Sequence, residues 1–207
     1  MAATLYFVRH GESEANARRV FAGQQDSPLT DAGRAQADAV ARVLGRIRVD
    51  RVVSSDLSRS RETAEAIARG HGVPVECFTE LREIDVGDMA GRTWDEAHGL
   101  SQWHEDGFVQ WPGGESLDQV LARALPAIQR IARESDGKTV VIVGHGGVTR
   151  ILVSHFLGLL PRLERARATN TNITKVLSDG ETFRVEQLFD DAHLPPPSPE
   201  AQATSAE

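Results

Sequence analysis

Residues 5–16 of the chain read LYFVRHGESEAN, and this stretch decides the expected fold. Four consecutive apolar residues, followed at once by polar residues and a glycine, predict a short buried strand over residues 4–8. Arg9 and His10 then lie at the carboxyl end of that strand. A strand that is buried on both faces is typical of a parallel sheet covered by helices, so the stretch indicates an α/β protein.

The same stretch carries side chains that suit a phosphate group. Arg9 can grip two phosphate oxygens with its planar fork, Asn16 can donate from its amide, and Gly11 lets the backbone approach a ligand closely. His10 remains to attack phosphorus, because an imidazole with a reference pKa of about 6.5 is largely neutral at pH 7. The alternative is a solvated Arg-His pair at a strand end, which the complete set of residues disfavours.

Helices and strands alternate along the rest of the chain. Thr30 can cap a helix, whose inward positions are expected at Ala32, Ala39, Val40, Val43, Leu44 and Ile47. The later elements are a strand over 51–54, a helix from 55–58 to Gly70 and Gly72, a long helix from Ser116, a strand over 138–143, a helix over 148–157, and strands over 173–177 and 183–188.

This order predicts a three-layer α/β/α sandwich with a largely parallel sheet. Ligands of such folds bind beyond the carboxyl ends of the strands, which is where His10 and His145 fall. A single domain is expected over residues 1–192. A proline-rich tail without periodicity follows over residues 193–207 and is expected to be disordered.

The composition excludes several classes of partner. The chain has 207 residues, 40% of them hydrophobic, and a formal net charge of −7, which fits one domain and disfavours nucleic acid or an anionic membrane as partners. The single cysteine, Cys77, allows neither an internal disulfide nor a thiolate metal site. A reducing cytoplasm is therefore the expected compartment. No run approaches the roughly 20 apolar residues of a membrane span, so a soluble protein is expected.

Several separated motifs, taken in order, resemble those of the histidine phosphatase, or phosphoglycerate mutase-like, superfamily. They are Arg9-His10-Gly11 with Asn16, Gly23 with residues 26–30, Gly33 and Gln36, residues 55–59 leading to Thr63-Ala64, and Gly144-His145-Gly146. The similarity spans residues 4 to about 189. It implies a phosphoglycerate mutase-like sandwich and a phosphohistidine enzyme for a small phosphorylated metabolite, with no metal or organic cofactor in the catalytic steps.

The resemblance also assigns roles to individual residues. It makes His10 the nucleophile, places Arg9, Arg59 and His145 around the transferring phosphoryl group, and makes Glu83 the proton donor. Positioned cations fit this chemistry, because a phosphoryl transition state is loose and spreads negative charge over its oxygens. The expected substrate-binding residues are Asn16, Gly11, Ser13, Gly23 and Gly146.

Each assignment has a structural alternative. Arg59 could be an ordinary helix-surface arginine and His145 a buried structural histidine, but the position of both after predicted strands favours function. Asp85 is the nearest competitor of Glu83 for the acid role. We expect Asp85 instead to bond backbone amides in the turn at Gly87.

The segment 94–111 is rich in aromatic residues and leaves two interpretations open. Trp94, Trp103, Phe108 and Trp111 could form a lid over a pocket or pack in the core. His98 and His104 also lie here without further ligands at metal-binding spacing, so no metal site is predicted. Related phosphatases often carry Trp-Glu before the next glycine, where this chain has Met89 and Ala90, so the shape of the substrate pocket stays open.

Three functions are compatible with these residues. The leading one is a phosphoric monoester hydrolase of the histidine acid phosphatase type. Its closest rival is a 2,3-bisphosphoglycerate-dependent phosphoglycerate mutase, but mutases of the superfamily carry a longer insertion with extra basic residues between the acid and the second histidine. Here the basic residues between Glu83 and His145 are Arg92 and four others expected to be distant, namely Arg123, Arg130, Arg133 and Lys138.

The third function is a catalytically silent module that binds a phosphorylated ligand. It is disfavoured, because His10, Glu83 and His145 are all present and a binding module has no need of the acid. The sequence leaves open whether the chain forms a homodimer.

Overall fold

The computed structural model describes residues 1–96, 102–103, 109–163 and 169–195. Its main strands are β1 (Ala3–Arg9), β2 (Arg51–Ser55), β3 (Val75–Phe78), β6 (Thr139–Gly144), β7 (Ile173–Ser178) and β8 (Phe183–Asp190). They form one six-stranded sheet in the order β3-β2-β6-β1-β7-β8. The first four strands in this order run parallel. At one side of the sheet β7 pairs antiparallel with β1, and β8 pairs antiparallel with β7. A separate antiparallel pair consists of β4 (Gln102–Trp103) and β5 (Val109–Gln110).

Helices cover both faces of the sheet. They are α1 (Glu14–Ala17), α2 (Asp31–Leu44), α3 (Ser58–His71), α4 (Leu117–Arg133) and α5 (Gly146–Phe156). On one face Ile128 of α4 and Ile151 of α5 belong to the same core cluster as Leu5. On the other face Val40 of α2 and Ile67 of α3 pack in a second cluster. The predicted α/β/α sandwich is therefore confirmed, and its two covered faces explain the unbroken apolar run of β1.

Two details of the secondary structure differ from the sequence expectation. The edge strand β3 was not predicted, because its four residues include Glu76 and Cys77 and none of them is fully buried. The side chains of Ala32 in α2 and of Ile47 after it are exposed, while Gly33 and Ala37 face inward. Ile47 lies beyond the end of the helix at Leu44, and only a glycine fits at position 33, where a Cβ atom would meet the Glu12 carbonyl oxygen at 2.0 Å.

The parallel register brings three strand ends together. Arg9 at the end of β1 pairs with Gly144 at the end of β6, and Ser54 near the end of β2 pairs with Val143. The residues that follow β1 and β6 are His10 and His145. Crossover connections place both histidines at the same edge of the sheet, as the sequence predicted.

The start of the predicted tail lies against the domain. His193 Nε2 is 3.0 Å from Thr171 Oγ1, and the Leu194 amide donates to the Asp191 carbonyl. Residues 196–207, the rest of the predicted tail, lie outside the described residues. Among the helices that are described, none is long and apolar enough to cross a membrane.

Candidate active site

The two histidines at the strand ends face each other. The ring centroids of His10 and His145 are 5.2 Å apart in an edge-to-face arrangement. The backbone amide of His10 donates to the Gly144 carbonyl at 3.0 Å, which ties the two strand ends together directly. Both side chains are buried, with 3% and 0% exposure, but only His10 lines the large cavity at this edge.

The His10 ring is held in one orientation. Its Nδ1 lies 2.7 Å from the carbonyl oxygen of Gly11. Because a carbonyl oxygen only accepts, Nδ1 carries the ring proton and Nε2 keeps its lone pair. Burial and the nearby Arg59 and Arg9 guanidinium groups hold the pKa of His10 well below its usual value, so the ring is neutral at pH 7. A neutral imidazole with a free Nε2 is the form that can act as a nucleophile.

A loop after α5 fixes the backbone of the same residue. The side-chain amide of Asn170 donates to the His10 carbonyl at 3.0 Å and to Asn16 Oδ1 at 3.3 Å. The Thr171 amide also points at the Arg9 and His10 carbonyl oxygens. These bonds hold the end of β1 rigidly, which favours a precise position for the ring.

Arg59 lies in the first turn of α3 and is only 2% exposed. Its two terminal nitrogens donate to the carbonyl oxygens of Gly23 and Gln25, at 2.9 and 3.0 Å. Burial is the main cause that lowers its pKa, while the carboxylates of Glu83 and Asp26 act in the opposite direction. The helix-surface alternative for Arg59 is therefore wrong, because the guanidinium is buried in the wall of the cavity.

Arg9 lines the cavity beside Arg59. Burial lowers its pKa to about 10, with Glu83 raising it and the neighbouring Arg150 and Arg59 lowering it further. The group still carries its charge at pH 7. Two buried guanidinium groups next to a neutral imidazole form a site that favours a dianionic ligand.

His145 lies behind His10 rather than in the cavity wall. Its Nε2 is 3.3 Å from the hydroxyl of Ser60, which follows Arg59 on α3. Burial, followed by the charge of Arg59, lowers its pKa well below the usual value. The structure thus brings His145 beside the predicted nucleophile, although it does not place its ring among the residues that line the cavity.

Glu83 projects into the cavity at the amino-terminal end of α5. Its Oε1 accepts from the amides of Ile84 and Val148, at 2.9 and 3.3 Å, and its Oε2 accepts from the Gly147 amide at 3.2 Å. A Cβ atom at position 147 would meet Glu83 Oε1 at 2.6 Å, so only glycine admits the carboxyl group here. Asp85 Oδ1 accepts from the Gly87 amide at 2.9 Å, which confirms the turn role predicted for Asp85.

Arg123 of α4 supports the segment that carries Glu83. It donates to the carbonyl oxygens of Glu80, Arg82 and Glu83, at 2.7 to 3.0 Å, and pairs with the Glu115 carboxylate at 2.7 Å. The expectation that Arg123 is distant from the site was wrong. Its guanidinium nevertheless bonds only to groups of the protein in these contacts, and Arg123 is not among the residues that line the cavity.

The predicted substrate-binding residues separate into two groups. Ser13, Asn16 and Gly23 line the cavity. Asn16 Oδ1 accepts from the Ser13 amide at 3.2 Å, in addition to its bond from Asn170, so the amide nitrogen of Asn16 is the end that can donate to an anion. Gly23 adopts a positive φ of 52° and presents its carbonyl to Arg59.

The other two predicted residues, Gly11 and Gly146, do not line the cavity. Gly11 allows close approach of another part of the backbone rather than of a ligand, because a Cβ atom at this position would meet the Gly33 carbonyl oxygen at 2.3 Å. The Gly11 amide donates to Thr63 Oγ1. At position 146 a Cβ atom would lie in ordinary contact with Arg9, and the glycine in the cavity wall is Gly147. The expectation that Gly11 and Gly146 contact the substrate is therefore corrected, because neither residue lines the cavity.

The cavity has a volume of about 270 Å³, and its lining combines charged and polar groups with apolar side chains. Its apolar wall includes Phe21, whose ring centroid is 5.1 Å from that of Trp111 and 6.3 Å from that of Trp94. Trp94 is 39% exposed at the edge of this wall. His98, His104 and Phe108 lie outside the described residues, and the Trp103 side chain is also not described, so the lid interpretation stays a prediction.

Sequence reasoning assigned no role in the site to four residues that shape it. Gly147 and Arg150 line the cavity, Thr63 bonds the Gly11 amide, and Asn170 holds His10. Gly147 and Arg150 lie in the first turns of the helix that begins at Gly146, directly after His145, so the sequence around the second histidine carried a signal for both. Within the described parts of the chain, no cluster of three or more acidic, histidine or cysteine side chains could hold a metal ion.

Comparison with known proteins agrees with this geometry. The sequence pattern of the histidine phosphatase superfamily (branch 1) matches residues 5–191. Phosphoglycerate mutase-like protein 4 of Arabidopsis thaliana is 38% identical over 93% of this chain and 87% of its own length. The structure of Bacillus stearothermophilus YhfR superposes with a TM-score of 0.84 at 34% identity, over 93% of this chain and 99% of that one.

A second solved structure, a mycobacterial glucosyl-3-phosphoglycerate phosphatase, is 30% identical with a TM-score of 0.79, over 92% of this chain and 100% of that one. The relatives thus include proteins named as mutase-like and as phosphatases. The match over nearly the whole domain, with both histidines at the sheet edge, shows that the chain belongs to the histidine phosphatase superfamily.

Proposed function

We propose that the chain is a phosphomonoesterase that hydrolyses a small phosphorylated metabolite through a phosphohistidine on His10. The observation that carries this proposal is the bond from His10 Nδ1 to the Gly11 carbonyl, which leaves Nε2 unprotonated beside two buried arginines. A site built only to bind a phosphorylated ligand gains nothing from a ring fixed in its nucleophilic form. Turnover of p-nitrophenyl phosphate tests the proposal, and vanadate binding without any hydrolysis would favour a silent binding module.

In the first proposed step the phosphoryl group lies against Arg9, Arg59 and Asn16, with His145 supporting the nucleophile from behind. His10 Nε2 forms a bond to phosphorus while the bond from phosphorus to the ester oxygen breaks. The departing alkoxide takes a proton from the Glu83 carboxyl group. The arginines stabilise the charge that spreads over the phosphoryl oxygens, which is the role that a divalent ion has in many other phosphoryl-transfer enzymes.

In the second step water attacks the phosphohistidine. The Glu83 carboxylate takes a proton from this water, the bond from nitrogen to phosphorus breaks, and inorganic phosphate leaves with His10 neutral again. The net reaction consumes one water and gives an alcohol and phosphate. We infer a cytoplasmic setting for this reaction, since Cys77 is an exposed free thiol that a reducing compartment preserves. A homodimer remains a hypothesis that oligomeric-state measurements would decide.

Chelators are expected to leave turnover within about twofold of the untreated enzyme, because side-chain cations replace the divalent ion. Vanadate is expected to inhibit, since it mimics the transition state of phosphoryl transfer. The measurement is p-nitrophenyl phosphate hydrolysis after dialysis against EDTA, with and without vanadate. Loss of activity that zinc or magnesium restores would contradict this mechanism.

Hydrolysis rather than isomerisation is expected to be the main activity. A mutase must hold a doubly phosphorylated intermediate while it reorients, which requires cationic anchors beyond the transferring-phosphate site. Arg123, the basic residue of α4 that approaches the site, is committed to Glu115 and three carbonyl oxygens. Among the described residues that line the cavity, Arg150 of α5 is the one arginine besides Arg9 and Arg59, which is fewer than the several anchors that a mutase requires. Water therefore competes well for the phosphohistidine.

The measurement incubates the enzyme with 3-phosphoglycerate, with and without 2,3-bisphosphoglycerate, and follows free phosphate and 2-phosphoglycerate. We expect free phosphate to form faster than isomer in both cases. Isomer formation that needs bisphosphoglycerate and far exceeds the hydrolysis of every phosphomonoester tried would establish the mutase instead.

A further inference from the structure

Glu83, the proposed acid, lies on a segment that has no regular structure of its own. Residues 82–86 belong neither to a helix nor to a strand and connect two short helical turns, Thr79–Leu81 and Gly87–Met89. The carbonyl and amide groups of such a segment lack the partners that a helix or a sheet supplies, so other groups must satisfy them. The position of the Glu83 backbone therefore depends on the side chains that bond to this segment.

Arg123 of α4 supplies three of these bonds and uses all five of its N–H donors in the protein. Three donate to backbone carbonyl oxygens at 2.7, 2.8 and 3.0 Å, those of Glu80, Arg82 and Glu83. The other two donate to the carboxylate oxygens of Glu115, at 2.7 and 2.8 Å. Five donors in one rigid plane are a property of arginine, so the contacts at position 123 are specific to this residue type.

Glu115 extends the contact to the other side of the acid. Its Oε2 accepts from the Asp85 amide at 2.8 Å, and its own amide donates to the Asp85 carbonyl at 2.8 Å. The side chains of Arg123 and Glu115 are 19% and 17% exposed, so water competes with their ion pair less than with a pair on the surface. The pair thus holds the chain at Glu83 and again two residues later.

The carboxyl group of Glu83 is bonded to a different helix. It accepts from the Gly147 and Val148 amides at the start of α5. A backbone that is anchored to α4 and a carboxyl group that is anchored to α5 leave little freedom to move along the cavity. This matters for proton transfer, because an acid acts within about 2.6–3.2 Å of the atom that it protonates, and a displacement of about 1 Å can cost about 100-fold in rate.

We propose that Arg123, together with Glu115, is a positioning residue for proton transfer, which sets where the Glu83 carboxyl group meets the ester oxygen of the substrate. The inference rests on the proposed phosphomonoesterase function. Neither Arg123 nor Glu115 is among the residues that line the cavity, so both act through Glu83. Because their charges are opposite, the pair holds the acid in place without adding net charge beside it.

The test measures kcat/KM on three phosphomonoesters whose leaving groups differ in basicity: p-nitrophenyl phosphate, phenyl phosphate and sn-glycerol 3-phosphate. Arg123→Met removes the five donors and is expected to lower kcat/KM on the glycerol ester by about 10- to 100-fold. The expected loss on p-nitrophenyl phosphate is less than about threefold, with phenyl phosphate between the two, because a less basic leaving group has less need of a proton.

Arg123→Lys keeps the charge beside Glu115 with only three donors, so we expect a smaller loss with the same order of esters. This variant serves if Arg123→Met fails to fold. Arg130→Met is the matched control, because Arg130 lies on the same helix, is 49% exposed, and pairs with the Glu80 side chain at 3.5 Å without lining the cavity. It should leave the relative kcat/KM values of the three esters unchanged.

A double-mutant comparison separates positioning from general damage to the fold. In a Glu83→Gln background no acid remains to be positioned, so Arg123→Met should change the ratio of kcat/KM between the glycerol and p-nitrophenyl esters by less than about twofold. Equal losses on all three esters in the Arg123 variants, or the same change of ratio with and without Glu83, would overturn the assignment. Failure of the proposed function gives a different result, because the wild type then hydrolyses none of the three esters and the positioning role falls with it.

Discussion

Replacement of His10 by alanine is expected to reduce turnover by about 10⁴-fold or more, because none of the other described residues that line the cavity is an oriented imidazole nucleophile. The Nδ1 bond to Gly11 keeps Nε2 available in the wild type, and the lowered pKa of His10 keeps that nitrogen unprotonated at pH 7. The measurement is phosphate release from p-nitrophenyl phosphate. A second readout is rapid quenching with radiolabelled substrate under non-acidic conditions, which should leave label on His10 of the wild type and none on the variant.

The matched control is His155→Ala. His155 is an exposed histidine in the last turn of α5 and does not line the cavity, so its loss should change turnover little. Vanadate binding by His10→Ala, followed by calorimetry, would show that Arg9 and Arg59 still form the anion site. Label on a serine or a carboxylate of the wild type would refute the phosphohistidine mechanism.

The predictable part of this site is the part that local sequence encodes. An unbroken apolar run requires a strand covered on both faces, and a polar residue after such a run lies at the strand end. That reasoning predicts His10 and His145 at one sheet edge, and the register of β1 with β6 confirms it. Thr30 as a helix cap is likewise confirmed, since its hydroxyl oxygen accepts from the Gly33 amide.

The remainder depends on contacts between distant segments, which a local pattern does not contain. Gly11 has the residue type of a ligand-contacting glycine, but Gly33 of α2 occupies the space next to it. Asn170 holds the His10 carbonyl from 160 positions away, in a loop without helix or strand periodicity. Arg123 was expected to be distant because the whole helix was expected to lie away from the site, yet packing of α4 against the segment before Glu83 brings its guanidinium to three carbonyl oxygens.

Glu83→Gln is expected to lower kcat/KM by about 10²- to 10⁴-fold on alkyl phosphates and by less than about tenfold on p-nitrophenyl phosphate. An alkoxide is a poor leaving group and needs the proton of Glu83, whereas nitrophenolate is stable without one. The parameter kcat/KM is the correct readout, because it reports the steps through phosphoryl transfer to His10. The value of kcat also contains the later attack of water, in which the Glu83 carboxylate acts as a base for both esters.

The control for this variant is Asp85→Asn. Asp85 lies two residues from Glu83 but bonds the Gly87 amide, so it should show no dependence on the leaving group. Glutamine presents an NH₂ group to one of the amides that now donate to Glu83, so thermal unfolding and vanadate binding must first show that the fold and the anion site survive. Equal losses of kcat/KM on both classes of ester would then exclude Glu83 as the acid. Loss confined to the alkyl esters would assign the proton transfer to Glu83, because only a proton donor discriminates between leaving groups by their basicity.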